Sequence, residues 1–436
     1  MGDEHYVGFD ANPSGPGLRP PRSMSKLDVP DIIFNSEHTL SIEQRLTSDG
    51  RQGGRTVQVS GRLEIRSSGD YFSNTGHIEI ECSSEDATLT AATSVQKSDR
   101  QDILISTPSA VDWWERRGPE PCVTIHIIVY VPIGGNIKDL ALTVDSLNVS
   151  IDEDLNLNAA ESIMITATSG NVSAPSLKSN ARSQIPHSLK SRHIIVQTVS
   201  GNVEGWLPLH HLLNVKSVSG NLSIDVGLES SYPNSDTCAK LMVKSVSGKV
   251  AIREPYVFYT QSNKHWKMSE CKNQPPSRDY IVAVTTASGD IDAQVAVTSS
   301  AIIRSASGNL RLDVAVVRLT PGGGRGGSLE TDVRSGTTEV FVVKSQYDVS
   351  GLQSRHSSMS GRISVGYPED WNGKFDAGSV CGTVLVNGQN MRILRSSHGV
   401  PKTLEGVRGE GPTYTSAVLM NSTAGDVVFR LLPPRP

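Results

Sequence analysis

The phrase Val199-Ser200-Gly201-Asn202-Val203 recurs along the chain and decides the fold. It returns as Val218-Ser219-Gly220-Asn221-Leu222 and as Val246-Ser247-Gly248-Lys249-Val250. Further copies centre on Gly289 and Gly308, and looser copies centre on Gly170, Gly361 and Gly425. Gly201 and Gly220 are 19 residues apart, as are Gly289 and Gly308, so about twenty residues make one coil. Such a repeat predicts a β-solenoid, in which each coil packs against its neighbours.

Apolar and polar residues alternate on both sides of the repeated glycine. After Gly220 the order is Leu222, Ser223, Ile224, Asp225 and Val226. A period of two is typical of strands that bury one face. We expect the three apolar residues to be buried and the two polar ones to be exposed. The sequence therefore predicts an all-β chain that forms a right-handed β-solenoid, similar to a parallel β-helix, with an N-terminal β cap region.

The Ser-Gly-Asn/Asp phrase is the expected turn between two strands. Glycine adopts φ > 0 at no steric cost, and Asn or Asp beside it tolerates a tight turn. Stacked coils would place Asn202 near Asn221, and Asp290 near Asn309, in side-chain ladders. The structural turn glycines predicted on this basis are Gly170, Gly201, Gly220, Gly248, Gly289, Gly308 and Gly361.

The pattern divides the chain into four regions. Residues 1–36 are rich in Gly and Pro, and we expect a disordered leader. Residues 37–160 alternate like strands without the Ser-Gly turn, and we expect a β region that caps the solenoid. The repeats occupy 161–430. The Pro-rich tail 431–436 cannot continue a strand and should end the last coil.

Composition excludes some classes of function. The chain has 436 residues and a formal net charge of −4, which gives no electrostatic case for nucleic-acid binding. No run of about 18 apolar residues and no signal peptide is visible, so we expect no transmembrane segment and, by default, a cytoplasmic location. Five cysteines show no CxxC spacing, which argues against zinc. Cys238 and Cys271 could pair outside a reducing compartment or stay free thiols.

The phrase Thr198-Val199-Ser200-Gly201-Asn202-Val203, downstream of Tyr130-Val131-Pro132, resembles the DUF4097 family of adhesin-like domains. The repeats of that family read T-x-S-G-D/N-V, and the resemblance covers about 120–430. It implies a β-solenoid with an adhesive or binding role and no established active site. Similar fungal proteins often carry a membrane segment before this region, and this sequence shows none.

The insertion at 253–280 is the main candidate for a binding site. It holds a concentration of aromatic residues in a chain that is only 5% aromatic, and lysines flank its tryptophan. Aromatic rings beside cations suit carbohydrate stacking or a protein hot spot, and the alternative is that the rings cover a face of the solenoid. The predicted binding residues are Tyr256, Tyr259, Lys264, Trp266 and Lys267.

Catalytic and metal-binding patterns are weak. The run Gly322–Gly327 precedes a strand-like segment where a phosphate cradle needs a helix, so we expect a loop. His210 and His211 adjoin on one strand and should point to opposite faces, which is poor geometry for one metal ion. We expect no metal, no cofactor and no catalysis.

The sequence thus favours a non-catalytic, adhesin-like scaffold that presents loops to a protein or glycan partner. The alternative is a carbohydrate-active β-helix enzyme, which needs carboxylates that converge in an open groove. The carboxylates that would have to converge for this alternative are those of Asp290, Asp292, Asp313, Glu330 and Asp332.

Overall fold

Two long β-sheets make up the protein. The computed structural model describes residues 23–47, 55–69, 74–98, 100–111, 120–176, 187–231, 238–254, 276, 278–317, 327–343, 349, 351–409 and 415–432. Within these residues one sheet has 15 strands, called here the first sheet, and the other has 16, called the second sheet. A separate pair of short strands completes the fold. The all-β prediction is confirmed.

The N-terminal part of the chain contains twelve strands and one short helix among the described residues. The strands are β1 (Ser23–Ile33), β2 (Thr39–Thr47), β3 (Arg55–Thr56), β4 (Gln58–Ser67), β5 (Thr75–Ser84), β6 (Ser94–Lys97), β7 (Asp102–Pro108), β8 (Ala110–Val111), β9 (Cys122–Val131), β10 (Gly135–Val144), β11 (Asn148–Ile151) and β12 (Asn156–Ala167). The helix α1 (Ala87–Ala92) begins after Asp86, whose carboxylate accepts the Thr88 N–H.

The repeats supply the remaining strands. They are β13 (Val172–Ser173), β14 (Ser188–Thr198), β15 (Val203–Leu209), β16 (Leu212–Ser217), β17 (Leu222–Leu228), β18 (Ala239–Ser245), β19 (Val250–Arg253), β20 (Tyr280–Thr286), β21 (Ile291–Val297), β22 (Ser300–Ser307), β23 (Leu310–Val316), β24 (Ser328–Ser335), β25 (Thr338–Val343), β26 (Gln353–Ser360), β27 (Ile363–Pro368), β28 (Gly373–Ser379), β29 (Val384–Asn387), β30 (Met391–Ser397), β31 (Lys402–Arg408), β32 (Ala417–Ser422) and β33 (Val427–Leu432).

Successive repeat strands alternate between the two sheets. From β12 to β27, even-numbered strands lie in the second sheet and odd-numbered strands in the first. Each is paired in parallel with the strand two before it: β15 with β17, for example, and β16 with β18. One even-numbered strand and the odd-numbered strand that follows it are called a rung below. The rungs stack in register, because each strand is hydrogen-bonded to the corresponding strand of the preceding rung.

The core lies between the inner faces of the two sheets. Leu222, Ile224 and Val226 are buried as predicted, and Ser223 is exposed. Asp225 is half-buried, so its predicted exposure is wrong. It lies in register between Trp206 and Arg253 on the neighbouring strands, and burial raises the pKa of its carboxyl while Arg253 opposes that rise.

Replacing Leu222 by alanine should lower the free energy of unfolding by about 2–5 kcal/mol, the usual cost of an emptied core site. Leu222 is 1% exposed and pairs in register with Val203 and Val250, so neighbouring rungs cannot easily close the cavity. Urea denaturation followed by circular dichroism measures the change. The exposed neighbour Ser223→Ala is the control and should change stability little.

The turn glycines are needed because adjacent turns touch through their backbones. A Cβ built on Gly220 would lie 1.8 Å from the carbonyl oxygen of Gly201, and one on Gly201 would lie 1.8 Å from that of Gly170. The predicted φ > 0 is wrong for most of them: Gly170, Gly201, Gly220, Gly248 and Gly289 lie outside the left-handed region. Gly308, at φ +137°, has both the unusual backbone and the close contact.

The predicted side-chain ladders are confirmed. The Asn221 N–H donates to Asn202 Oδ1 at 2.8 Å, and the Asn309 N–H donates to Asp290 Oδ1 at 2.8 Å. In the same way, the Asn202 N–H donates to Asn171 Oδ1. Each Asn or Asp thus accepts a backbone N–H of the next turn, which satisfies a donor that the tight turn would leave open.

The last strands of the chain do not form the last rung. The pair β32 and β33 lies between the rung of β26 and β27 and the rung of β28 and β29. The antiparallel strands β31 and β30 continue the second sheet beyond β28. The prediction that the Pro-rich tail ends the last rung is therefore wrong. The strand before the tail, β33, continues to Leu432 and lies inside the first sheet, between two other strands. Residues 433–436 lie outside the described residues.

The N-terminal strands extend the same two sheets. β1 pairs antiparallel with β5, and β5 with β9, at the end of the first sheet. The disordered leader predicted for 1–36 is wrong for residues 23–33, whose backbone groups pair in this sheet. The boundary predicted at residue 160 falls inside β12, so both regions share one stack. Residues 1–22 lie outside the described residues.

Candidate functional site

The two edges of the repeat stack differ in the length of their connections. The first-sheet strands are parallel across the repeats, so their carboxyl ends lie along one edge. We call this the variable edge, and its connections are 174–187, 210–211, 229–238, 254–279, 298–299, 317–327, 344–352 and 369–372. The opposite edge, the turn edge, carries 168–171, 199–202, 218–221, 246–249, 287–290, 308–309, 336–337, 361–362, 380–383 and 423–426. None of the turn-edge connections is longer than 199–202.

The longest connection of the variable edge, 254–279, begins with a buried carboxyl group. Glu254 is 1% exposed, and its Oε2 accepts the N–H of Ala296 at 2.5 Å. The strand β19 ends at Arg253, whereas its neighbour β21 continues to Val297, so the Glu254 side chain supplies an acceptor where the shorter strand stops. Burial raises the pKa of Glu254 to about 8, and the Ala296 N–H opposes that rise.

The same connection ends with a buried guanidinium. Arg278 is 2% exposed and donates to the carbonyl oxygens of His210 and of Leu209, the latter at 2.5 Å. Its guanidinium lies 5.5 Å from the centre of the Tyr280 ring, within cation–π range. Arg278 therefore fixes the end of connection 254–279 to connection 210–211.

Further bonds join this end to both neighbouring rungs. The Asp279 carbonyl accepts the Ala239 N–H at 2.6 Å, and Asp279 Oδ1 accepts the Ser299 hydroxyl at 2.6 Å. The Tyr280 hydroxyl donates to the Pro276 carbonyl at 2.8 Å, and burial raises the pKa of that phenol to about 12. Both ends of the insertion thus rest on a fixed, buried base.

The predicted binding residues lie between these two ends and outside the described residues. Tyr256, Tyr259, Lys264, Trp266 and Lys267 therefore stay predictions, as does pairing of Cys238 with Cys271, because Cys271 also lies outside. Tyr280, an aromatic residue at the end of the same insertion, is 1% exposed and belongs to the core.

The five carboxylates of the enzyme alternative are distributed over both sheets. Asp290 accepts the Asn309 N–H in a turn, and Asp292 pairs in register with Arg311 on the outer side of the first sheet. Asp313 is buried in the first sheet beside Gln294. Glu330 and Asp332 lie on β24 of the second sheet, where Glu330 forms an ion pair with Arg304 at 2.9 Å. The carboxylates do not converge in one groove.

The described part of the chain holds no group of three or more His, Cys, Asp or Glu side chains placed to bind one metal ion. None of its helices has the length and apolar character needed to span a bilayer.

Comparisons with known proteins give little support for a family. No family model matches the chain, and no curated protein matches it. A structure from Clostridium sporogenes, provisionally assigned to cell adhesion, is 7% identical with a TM-score of 0.15, covering 95% of this chain and all 100% of its own. A provisional adhesin from Bacteroides fragilis is 10% identical with a TM-score of 0.22, covering 95% and 100%. Another from Parabacteroides merdae is 10% identical with a TM-score of 0.24, covering 94% and 96%. Likeness this weak carries no argument, and the DUF4097 resemblance stays a prediction.

Proposed function

We propose that this protein is a non-catalytic, adhesin-like scaffold. In this proposal the stack is a right-handed β-solenoid that presents the connections of its variable edge to a protein or glycan partner. The observation that carries the proposal is the restriction of length variation to that one edge.

The physical reason for this restriction is the contact between turns. At the turn edge a Cβ on Gly220 would meet a neighbouring carbonyl oxygen at 1.8 Å, so even an added methyl group there would force the rungs apart. At the variable edge the connections range from 210–211 to 254–279 without interrupting the stack. Loops held by a repeat scaffold are where binding surfaces differ among repeat proteins.

Connection 254–279 is the best candidate for the binding loop. Its tryptophan and tyrosines are residue types enriched in protein hot spots, and aromatic rings beside lysines also suit carbohydrate stacking. Glu254 and Arg278 hold its two ends through buried hydrogen bonds, which fixes where the connection leaves and rejoins the stack. The separation of the five candidate carboxylates between two sheets supports a binding role over hydrolysis.

Trp266→Ala should abolish glycan or protein binding and leave the melting temperature almost unchanged. The ring would supply stacking area in the loop, while the stack below it depends on the core and on Glu254 and Arg278. Binding of the wild-type chain and the variant to immobilised oligosaccharides of varied charge, and in parallel to immobilised extracellular-matrix proteins, measures the effect. Trp206→Ala is a matched control: this tryptophan is fully buried, so its loss should lower the melting temperature.

A large loss of stability in Trp266→Ala with binding intact would show that the ring covers the stack, and would refute the proposed loop. Catalytic turnover of an oligosaccharide by the wild-type chain would refute the non-catalytic proposal directly.

A further inference from the structure

Two histidines distant in sequence lie side by side at the variable edge. His193 is on β14, and His211 belongs to connection 210–211 just before β16. The two strands are parallel neighbours, and their register places His193 opposite Leu212. The two imidazole rings have centroids 5.4 Å apart and planes inclined by 55°, and both residues are half-buried. With Zn–N bonds of about 2.1 Å, two imidazoles on one tetrahedral ion have centroids about 5 Å apart.

The structure also fixes the tautomer of His211. Its Nδ1 lies 3.0 Å from the carbonyl oxygen of Cys238. A carbonyl oxygen can only accept, so Nδ1 carries the proton and Nε2 keeps its lone pair. A backbone carbonyl on the second nitrogen is the arrangement that orients histidine ligands in metal sites.

The surroundings of His193 also suit metal binding. Within the described residues, no hydrogen bond occupies either of its ring nitrogens. Arg192, the residue before His193, forms an ion pair with Glu161 at 3.4 Å.

We propose that His193 and His211 together bind one divalent transition-metal ion, such as Zn²⁺ or Cu²⁺. Imidazole nitrogen is a favoured ligand for both ions, and with two protein ligands the remaining positions would be filled by water. The ion would join β14 to connection 210–211, whose backbone already holds Arg278 at the end of the long insertion. This site does not depend on the proposed binding loop.

Titration calorimetry with Zn²⁺ at pH 7 tests the proposal on the full chain without an affinity tag. The wild-type chain should bind one ion, and His193→Asn and His211→Asn should each reduce the affinity by about tenfold or more. His126→Asn is the matched control, because His126 is also a half-buried strand residue but faces Glu81 and Arg62 on its neighbours. It should bind Zn²⁺ like the wild-type chain.

Electron paramagnetic resonance of added Cu²⁺ identifies the ligands independently. The wild-type spectrum should show coupling to two imidazole nitrogens, and His193→Asn should lose one of them. Cys238→Ser keeps the carbonyl that orients His211, so it should leave both signals unchanged. The proposal is overturned if the double variant His193→Asn/His211→Asn binds Zn²⁺ like the wild-type chain. Loss of binding in Cys238→Ser would equally overturn it, because a thiolate would then be the ligand.

Discussion

Gly220→Ala should lower the free energy of unfolding by about 4 kcal/mol or more, at the upper end of what single substitutions do. The added Cβ would lie 1.8 Å from the Gly201 carbonyl oxygen and 2.5 Å from its carbonyl carbon. Backbone atoms cannot rotate away as a side chain can, so the two rungs must separate. The separation would also lengthen the bond from the Asn221 N–H to Asn202 Oδ1.

The matched control is Gly399→Ala. Gly399 lies outside the left-handed region, and the nearest atom to its added Cβ is Ser397 Oγ at 3.8 Å. We expect a change within about 1 kcal/mol, of either sign. Urea denaturation of both variants gives the comparison. Equal midpoints for the two variants would show that the turns are not in the close contact described above.

Raising the pH from 5 to 9 should lower the stability by about 3–5 kcal/mol through Glu254 alone. The folded state raises the pKa of this carboxyl from 4.5 to about 8, because the group is fully buried. The folded protein therefore holds the proton more tightly than the unfolded chain. This contribution is fully present below pH 4.5 and is lost as the pH rises through 8, and above that it changes no further.

Glu254→Gln isolates the effect. The amide keeps an oxygen that can accept the Ala296 N–H, and it does not ionise. The difference in stability between wild type and variant, measured by urea denaturation at each pH, should therefore follow the titration of Glu254. Burial lowers the pKa of His356 to about 3, and its contribution is lost as the pH falls below 6.5, which includes the acidic end of this window. Both proteins carry His356, so its contribution cancels in the difference between them. Parallel pH profiles for the two proteins would contradict the burial of a neutral carboxyl.

The period-two alternation carries a signal for the buried ends of the candidate site that its composition does not. The inward series that includes Val250 and Ile252 continues in phase to Glu254, and the series from Val284 and Val282 runs back through Tyr280 to Arg278. The pattern alone could therefore have assigned both charged residues to the core, next to an insertion. Composition drew the interpretation to the aromatic residues of the loop, and the buried groups at its two ends were missed.

Other features depend on register, which the sequence does not specify here. The turn phrases around Gly361, Gly382 and Gly425 are similar, so nothing in them ranks the order in which they stack. The adjacency of His193 and His211 is of the same kind, since it depends on which residue of β16 lies opposite β14. The alternation in the sequence predicts which side chains face inward and which face outward. Which side chains are neighbours across rungs is seen only from the strand pairing in the structure.

The position of β32 and β33 has a consequence for synthesis on the ribosome. Residues of β26 to β29 leave the ribosome first, but the two rungs they form are joined only through β32 and β33, whose residues 417–432 are made later. Until then the edges of β27 and β29 have no partner on the facing side, and such edges are prone to pair with other chains. The C-terminal segment thus completes this end of the stack. A premature stop codon near residue 416 would remove the rung of β32 and β33 while leaving the rungs on both sides of it in the chain.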